Sequence, residues 1–309
     1  MSRVSLIVPC YNEAEALPAF MEEVSKVGAT MRGDDFELVF IDDGSTDGTL
    51  ELLRNLNRAD SRVRYLSFSR NFGKESAMLA GLKAAAGDYA AIMDADLQDP
   101  PALLPEMLKA VREEGYDCAS TRRVTRKGEP FIRSLCARLF YKCINKISET
   151  EIVDGARDYK LLSRPAINAL LSLPEYNRFS KGLYEWIGFK TKWIEFENVE
   201  RVAGETKWSF WKLFLYSIEG LVAFSTIPLS VASILGISFM LFSFASIIFL
   251  CVRQLFWHAS VSGWTSMVCI IMFISGIHLL CLGIIGQYLA KTYMEVKRRP
   301  LYIVQEQSK

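Results

Sequence analysis

Residues 4–13 decide the fold class, and they read Val4-Ser5-Leu6-Ile7-Val8-Pro9-Cys10-Tyr11-Asn12-Glu13. The apolar run at the start has the length of a buried strand, and polar residues follow it directly. Three similar runs come later in the chain: Phe36 to Ile41, Val63 to Phe68 and Tyr89 to Met93. The longer segments between and after them are predicted helices, at residues 14–31, 46–56, 74–86 and 101–114. This alternation predicts an α/β domain with a mostly parallel sheet and crossover helices.

Acidic side chains follow three of the four predicted strands, at the point where each strand ends. They are Glu13 after the first strand, Asp42 and Asp43 after the second, and Asp94, Asp96 and Asp99 after the fourth. Ligands of open α/β sheets bind beyond the carboxyl ends of the strands, so we expect these carboxylates to share one site. Carboxylates brought together repel each other, and a divalent cation with oxygen ligands, Mg or Mn, is the simplest counter-charge.

A second interpretation of some of these side chains is helix capping. Asp43, Ser45 and Asp99 each suit an N-cap position, and for each residue taken singly this interpretation is as good as a functional one. It does not explain Asp94 and Asp96, which stand before the turn.

The C-terminal third of the chain differs sharply in composition from the rest. After Glu219 the next charged residue is Arg253, and after Arg253 the next is Lys291, which leaves uncharged stretches of 33 and 37 residues. A membrane helix needs roughly 20 apolar residues. We therefore predict two membrane spans, near residues 227–252 and 264–289.

Composition also excludes several classes of protein. Residues 1–219 contain 30 basic and 33 acidic residues, so a nucleic-acid binder is not expected. The seven cysteines include no CxxC pair and are odd in number, which indicates neither a disulfide framework nor a zinc site. The first apolar run is too short for a secretory signal, so the first 200 residues are expected to stay in the cytosol.

The motifs resemble those of the inverting glycosyltransferases of family 2, which have the GT-A nucleotide-sugar-binding fold. This similarity rests on Val8-Pro9-Cys10-Tyr11-Asn12-Glu13, on Asp42-Asp43-Gly44-Ser45 and on Asp94-Ala95-Asp96, a DxD motif. A narrower similarity, to the polyprenyl-phosphate glycosyltransferases, rests on Leu97-Gln98-Asp99-Pro100-Pro101, Ser69-Arg70-Asn71-Phe72-Gly73-Lys74 and Gly286-Gln287-Tyr288-Leu289. That group contains the dolichol-phosphate mannose synthases and bactoprenol glucosyltransferases. The resemblance covers nearly the whole chain and implies a hexosyltransferase.

The resemblance also implies roles for individual residues. The implied nucleotide site consists of Pro9, Tyr11, Asn12, Glu13, Asp42, Asp43 and Asp94. The implied metal ligands are Asp94, Asp96 and Gln98. The cation, Mg or Mn, would bridge the diphosphate oxygens and stabilise the charge on the leaving group.

Asp158 is the candidate catalytic base, because its segment resembles the one that carries an acidic residue beside the reacting carbon in relatives. The acceptor phosphate has a second pKa of roughly 6 and is largely a dianion at neutral pH, so the alternative is that Asp158 only positions the acceptor. A third interpretation is a structural carboxylate in a loop, paired with Arg157 or Lys160.

Basic residues are concentrated between residues 120 and 146, with Glu129 as the only acid. From residue 131 the apolar residues recur at helical spacing, which predicts a basic amphipathic helix on an anionic membrane surface or an ordinary solvated helix face. The resemblance to enzymes that bind a lipid phosphate with arginines implies this role for Arg122, Arg123 and Arg133.

Charge asymmetry predicts that both ends of the chain are cytosolic. Flanking basic residues outnumber Arg253 in the loop between the spans: Lys207 and Lys212 before the first span, and Lys291, Lys297, Arg298 and Arg299 after the second. The predicted organisation is a cytosolic catalytic domain at residues 1–206, an interfacial helix at 207–226, two transmembrane helices at 227–290 and a cytosolic tail at 291–309. The predicted location is the bacterial inner membrane, with the small residues Gly276, Gly283 and Gly286 able to support helix contact in a homo-oligomer.

The leading hypothesis is transfer of a single sugar from a nucleotide donor to a polyprenyl phosphate, such as undecaprenyl phosphate, for cell-wall or lipopolysaccharide modification. Glucose from UDP-glucose is the preferred donor by analogy, and GDP-mannose, UDP-N-acetylhexosamine and a UDP-modified arabinose stay open. A processive polysaccharide synthase would usually add a QxxRW-type motif and more membrane spans, which this sequence lacks. A non-enzymatic membrane anchor is the third class, and the intact acidic clusters argue against it.

Overall fold

A computed structural model describes residues 2–31, 34–124, 153, 155–197, 225–257 and 263–308. The chain divides into two compact units: a sheet unit of Met1–Ser217 with Arg299–Lys309, and a hairpin unit of Ile218–Arg298. The predicted amphipathic helix from residue 131, which includes Arg133, lies outside the described residues, as does nearly all of the predicted interfacial segment at 207–226.

The described part of the sheet unit contains eight strands in one sheet, in the order β7-β5-β6-β4-β1-β2-β3-β8. The strands are β1 Arg3–Cys10, β2 Asp35–Asp42, β3 Val63–Phe68, β4 Tyr89–Ile92, β5 Cys118–Arg123, β6 Ala156–Ser163, β7 Thr191–Phe196 and β8 Val304–Gln307. Four of the seven pairings are parallel, and β6 and β8 supply the antiparallel ones. The predicted α/β class with a mostly parallel sheet is therefore confirmed.

Six helices are described in the sheet unit and two in the hairpin unit. They are α1 Leu17–Thr30, α2 Thr49–Ala59, α3 Lys74–Ala84, α4 Leu104–Glu113, α5 Arg164–Ser172, α6 Ser180–Trp186, α7 Ile227–Trp257 and α8 Trp264–Lys297. A short 3-10 turn, Pro101–Leu103, precedes α4. The four helices predicted between the first strands are present, with their ends shifted by a few residues.

Helices cover both faces of the sheet. Alternate side chains of β2 accordingly pack against helices on opposite faces. Leu38 and Phe40 join the larger apolar core, to which α1, α2 and α4 contribute. Val39 and Ile41 point the other way, into a second cluster with α3. Residues 38–41 of β2 are apolar toward both faces because both faces are buried, as is usual for parallel strands between two helix layers.

The C-terminal tail forms the last strand of the sheet. β8 pairs antiparallel with β3, and the backbone N–H of Ser69 donates to the carbonyl of Ile303 at 3.0 Å. The Tyr302 ring stacks on Phe68 with centroids 4.8 Å apart. Arg54 of α2 holds Glu306 with its Nε and Nη2, at 3.0 and 2.6 Å. The sequence predicts only a cytosolic tail here, because residues 304–307 form no apolar run.

The hairpin unit consists of α7 and α8, both long and apolar enough to cross a membrane by length and composition. The rings of Phe239 and Phe273 lie 5.8 Å apart across the pair, and the Tyr288 hydroxyl donates to the carbonyl of Ser225. Both predicted spans are therefore helical. α8 continues beyond the predicted end near residue 289 and stops at Lys297, where Arg298 takes a left-handed conformation with φ of 48°.

Candidate active site

The ends of β4, β1 and β2, three adjacent strands, carry most of the predicted donor-site residues. Pro9 lies on β1 beside Ile41 of β2, and the Tyr11 side chain stands partly exposed just beyond the strand. Asn12 takes a left-handed conformation, with φ of 55°, which turns the chain back over the edge of the sheet. Asn tolerates this conformation better than most residues because its short side chain bonds locally.

The loops after β1 and β2 are hydrogen-bonded to each other. The backbone N–H of Asn12 donates to Oγ of Ser45 at 2.9 Å, and Oδ1 of Asn12 accepts from the backbone N–H of Thr46 at 2.8 Å. The N–H of Glu13 donates to Oγ1 of Thr49 at 2.9 Å. Asn12 and Glu13 therefore hold the two predicted nucleotide loops in register, through their backbone N–H groups and the side-chain oxygen of Asn12.

Asp42 and Asp43 are both buried, and each has a defined structural task. Asp42 accepts from the Ser67 hydroxyl at 2.6 Å and from the N–H of Ser45 at 3.0 Å. Asp43 accepts from the N–H groups of Phe72 and Gly73 at 2.6 and 2.9 Å. Burial raises the pKa of Asp43 to about 6, against the lowering effect of these two hydrogen bonds.

The helix-cap interpretation of Asp43, Ser45 and Asp99 is wrong. α2 begins at Thr49, whose N–H donates to Asp47. Asp43 instead fixes the loop between β3 and α3, and Ser45 accepts from Asn12. Asp99 is fully buried and pairs with Arg157. All three carboxylate or hydroxyl groups connect segments that are distant in sequence.

Asp94 and Asp158 meet because β4 and β6 are antiparallel neighbours. Ile92 pairs with Lys160 in this ladder, and the same register continued by two residues puts Asp94 opposite Asp158. The ammonium group of Lys74 lies between them, 2.7 Å from Oδ1 of Asp94 and 2.6 Å from Oδ2 of Asp158. One lysine thus joins the DxD motif to the candidate base.

The ionisation of this trio is set by the close contact of opposite charges. Burial acts to raise the pKa of Asp158, but Lys74 and Lys181 outweigh it and hold that pKa well below the ordinary range. Burial acts to lower the pKa of Lys74, and the two carboxylates raise it above its ordinary value. Asp158 is therefore a charged strand residue paired with Lys74. The interpretation as a loop carboxylate paired with Arg157 or Lys160 is wrong, since those two side chains pair with Asp99 and Glu185.

Arg157 supports the far side of the DxD segment. Its Nε donates to Oδ1 of Asp99 at 2.7 Å, and its Nη2 lies 3.3 Å from the side-chain oxygen of Gln98. Burial raises the pKa of Asp99 to about 6, although the Arg157 charge opposes the rise. Asp96 is largely buried and accepts from the backbone N–H of Gln98 at 3.2 Å, so the segment is folded upon itself.

The predicted metal ligands fit a hard divalent cation in their chemistry. Asp94 and Asp96 offer carboxylate oxygens and Gln98 an amide oxygen, which are ligands that Mg and Mn prefer. The Lys74 ammonium already pairs with Asp94, which indicates that this position attracts positive charge. Within the described ranges no group of three or more His, Cys, Asp or Glu side chains is arranged around a metal position. The remaining ligands of a cation here would come from the donor diphosphate.

Two of the three predicted acceptor arginines, Arg122 and Arg123, lie at the end of β5, beside β6. Arg122 pairs with Ala156 of β6, and its Nη1 is 3.8 Å from a carboxylate oxygen of Glu195. The Nε of Arg122 is buried and has no hydrogen-bond partner among the residues that the structure describes. Arg123 bonds through its backbone N–H to Gly155. Arg133 lies outside the described residues.

Lys74 is the site residue that the sequence analysis missed. It is the first residue of α3, where the helix dipole favours acidic rather than basic side chains. A lysine directly after a glycine, at the first position of a predicted helix, is the sequence signal that could have singled it out.

A sheet of this topology, with a DxD segment and further carboxylates at the ends of its parallel strands, defines the class of nucleotide-sugar transferases with the GT-A fold. A solved structure of glucosyl-3-phosphoglycerate synthase from Mycobacterium tuberculosis, in complex with Mn2+, uridine diphosphate and phosphoglyceric acid, has the same fold, with a TM-score of 0.51 and 18% identity over 72% of this chain and 76% of that one. The model of the family described as Glycosyl transferase family 2 matches residues 5–171, and the chain belongs to this family. It is therefore a glycosyltransferase.

Several curated relatives match almost the full chain. A Bacillus subtilis protein named "Putative glycosyltransferase CsbB" is 46% identical over 98% of this chain and 91% of its own length. The SfII prophage-derived bactoprenol glucosyl transferase of Shigella flexneri is 37% identical over 98% of both chains. The prophage bactoprenol glucosyl transferase homolog of Escherichia coli is 36% identical over 99% of this chain and 100% of its own.

Proposed function

We propose that this glycosyltransferase moves a single sugar, glucose from UDP-glucose, to a polyprenyl phosphate such as undecaprenyl phosphate, at the cytosolic face of a bacterial inner membrane. The observation that carries the proposal is the meeting of Asp94, Lys74 and Asp158 at the strand ends. A donor motif and a second carboxylate face each other there, which suits a displacement at the sugar carbon with Asp158 on the acceptor side. Similarity to proteins named bactoprenol glucosyl transferases supports the choice of glucose and of the lipid.

On the donor side, the nucleotide would lie against the loops after β1 and β2. Tyr11 offers a partly exposed ring for the base, and Asn12, Glu13, Asp42 and Asp43 fix the loops around it. Asp94, Asp96 and Gln98 would hold Mg or Mn. The metal supplies Lewis-acid stabilisation of the charge that develops on the departing nucleoside diphosphate.

On the acceptor side, a phosphate oxygen of the lipid attacks the anomeric carbon on the face opposite the diphosphate. A bond forms between that oxygen and the carbon, the bond from the carbon to the diphosphate oxygen breaks, and the configuration inverts. Asp158, which Lys74 connects to Asp94 of the donor motif, would orient the acceptor or take its remaining proton. Arg122 and Arg123, with Arg133, would bind the lipid phosphate, because a guanidinium meets phosphate oxygens bidentately.

The hairpin helices α7 and α8 would anchor the enzyme beside its lipid substrate. Strand β8 follows α8 and is part of the same sheet as β1, so segments before and after the hairpin in sequence belong to one unit. This arrangement supports two membrane crossings with both termini in the cytosol. A cysteine introduced next to Lys297 should be labelled only from the cytosolic side of sealed vesicles.

The test is a transfer assay with purified full-length protein in detergent. UDP-glucose, GDP-mannose, UDP-N-acetylglucosamine and a UDP-modified arabinose are each offered with undecaprenyl phosphate. We expect glucose transfer that chelator abolishes, and a loss of roughly 10²- to 10³-fold for Asp96→Ala, on the scale of losing one stabilising group in the transition state. The matched control is Asp60→Asn, a carboxylate at the opposite end of the sheet that pairs with Arg62.

Different outcomes overturn different parts of the proposal. If only another donor supported transfer, that sugar would replace glucose in the proposal, and the lipid acceptor and the metal would be retained. Donor hydrolysis without lipid product would remove the polyprenyl acceptor. Near-native turnover of Asp96→Ala, with no effect of chelator, would remove the metal from the mechanism.

A further inference from the structure

Lys74 is held at the donor site by its neighbours on both sides. The residue before it, Gly73, donates its N–H to Asp43, which directly follows β2. The residue after it, Glu75, accepts from the backbone N–H of Ser180 at 3.1 Å and from the Ser180 hydroxyl. The start of α3 is thus attached to β2 and to α6, and the lysine side chain is presented from a fixed backbone.

The Lys74 ammonium forms close ion pairs with two carboxylates of the site. Its nitrogen is within 2.8 Å of Asp94 and 2.6 Å of Asp158. The side chains of Asp94 and Asp158 are 26% and 25% exposed, so a small cation from solution can reach them. Without the lysine, two carboxylates on neighbouring strands would repel each other. The ammonium therefore serves as their counter-charge.

We propose that Lys74 is an internal counter-cation that competes with the divalent metal for Asp94, so that firm metal binding requires the donor diphosphate. This inference rests on the proposed function, because it takes the metal and the nucleotide-sugar donor from it. Lys74 is a positioning residue in this scheme, and it contributes through the charge it brings to the two carboxylates.

Charge balance explains why the donor matters. In the free enzyme the two carboxylates already have a positive partner, and a divalent cation at Asp94 would lie close to the ammonium group and be repelled by it. The donor diphosphate adds negative charge at the same place. Metal and diphosphate together then bring nearly balanced charge, and the ammonium is no longer an obstacle to the metal.

The experiment measures Mn²⁺ binding by electron paramagnetic resonance, with full-length protein in detergent micelles. Wild type, Lys74→Gln and Lys74→Arg are titrated with Mn²⁺ alone and then in the presence of UDP. Gln removes the charge and keeps a hydrogen-bond donor, whereas Arg keeps the charge. The matched control is Lys192→Gln, which removes the lysine of a 2.7 Å pair with Glu114 outside the site.

We expect Lys74→Gln to bind Mn²⁺ without nucleotide at least about tenfold more tightly than wild type, because the variant lacks the positive charge that repels a cation at Asp94. With UDP present the difference should shrink to less than about threefold, and turnover should still fall, because the carboxylates are then mispositioned. Lys74→Arg and Lys192→Gln should bind Mn²⁺ as wild type does.

Unchanged or weaker Mn²⁺ binding by Lys74→Gln without nucleotide would overturn the inference, whatever the sugar assay gives. A merely structural lysine would weaken binding in the presence and absence of UDP alike. Failure of the proposed function has a different signature, since no nucleotide sugar would then yield a lipid product. Melting curves of the variants identify any that do not fold, and if Lys74→Gln is one of them, Lys74→Met, which also removes the charge, takes its place in the same titrations with the same expected result.

Discussion

The guanidinium of Arg157 spans the buried carboxylate of Asp99, with Nε 2.7 Å from Oδ1 and Nη2 3.3 Å from Oδ2. Arg157 lies on β6 and Asp99 follows β4, so the pair connects neighbouring strands just behind the DxD segment. The carboxylate has no exposed surface, and its charge depends on the arginine.

Replacing Arg157 by Met should destabilise the sheet unit by about 3–5 kcal/mol, because a buried carboxylate loses its partner. Lys at this position should recover part of the loss through a single contact. Thermal unfolding followed by tryptophan fluorescence measures both variants. Arg62→Met, which breaks the exposed pair with Asp60, is the control and should lose roughly 0.2–1 kcal/mol. Equal losses for the two Met variants would contradict the assigned role of Arg157.

The pKa of Asp43, raised to about 6 by burial, makes stability depend on pH. Between about pH 4 and 6 the folded protein keeps a proton on Asp43 that the unfolded chain releases, so the free energy of unfolding falls as pH rises through this window and levels off above it. The change is on the order of 2–3 kcal/mol. Denaturant titrations of wild type and Asp43→Asn at several pH values isolate it. If the free energy of unfolding of wild type relative to Asp43→Asn increased between pH 4 and 6, the prediction would have the wrong sign.

Gly44 allows the loop after β2 to approach the loop after β3. Its φ is +67°, and a Cβ there would stand 2.4 Å from the carbonyl carbon of Arg70. Gly44→Ala should cost at least about 1–3 kcal/mol from backbone strain alone and should weaken nucleotide binding as the loops separate. Gly28→Ala, in α1 with nothing within 4 Å, should be neutral or slightly stabilising. If Gly44→Ala and Gly28→Ala gave the same unfolding curve and the same UDP titration, this view would be wrong.

Glu306 ties strand β8 to α2 and β3. Hydrogen bonds from Arg54 and Tyr65 lower the pKa of Glu306 to about 2. The stability it contributes is complete above about pH 4.5 and is lost as pH falls through about 2. Hydrogen exchange of residues 304–307 should therefore quicken in Glu306→Gln at neutral pH, and in wild type only in strong acid. Equal protection of β8 in the two proteins at pH 7 would contradict the contact.

The sequence predicted β1 to β4 well because their apolar runs are buried on both faces, and such runs carry a strong local signal. β5 to β8 went unpredicted. β5 ends in Arg122 and Arg123, and β6 carries Arg157, Asp158 and Lys160, so neither reads as an apolar run. β8 reads Val-Gln-Glu-Gln and is a strand only because β3 offers it an edge.

The donor-site residues were chosen from local motifs, and the structure gathers most of them at one edge of the sheet. What the motifs could not predict is contact between distant segments. Asp158 reaches Asp94 only through the antiparallel β4–β6 register, and Lys74 reaches both from a third element. Nothing in the spacing of residues 74, 94 and 158 encodes that meeting, because strand order is a property of the whole sheet.

The closing strand β8 also sets an order for biosynthesis. The residues that complete the sheet are 304–307 of 309, so the ribosome makes both apolar helices before the edge of β3 can receive its partner. Until then that edge presents free backbone groups, which are a template for pairing with another chain. On the proposed function, insertion of the two helices into the bilayer would precede completion of the sheet, and a chain released before residue 304 would carry an open sheet edge available for pairing.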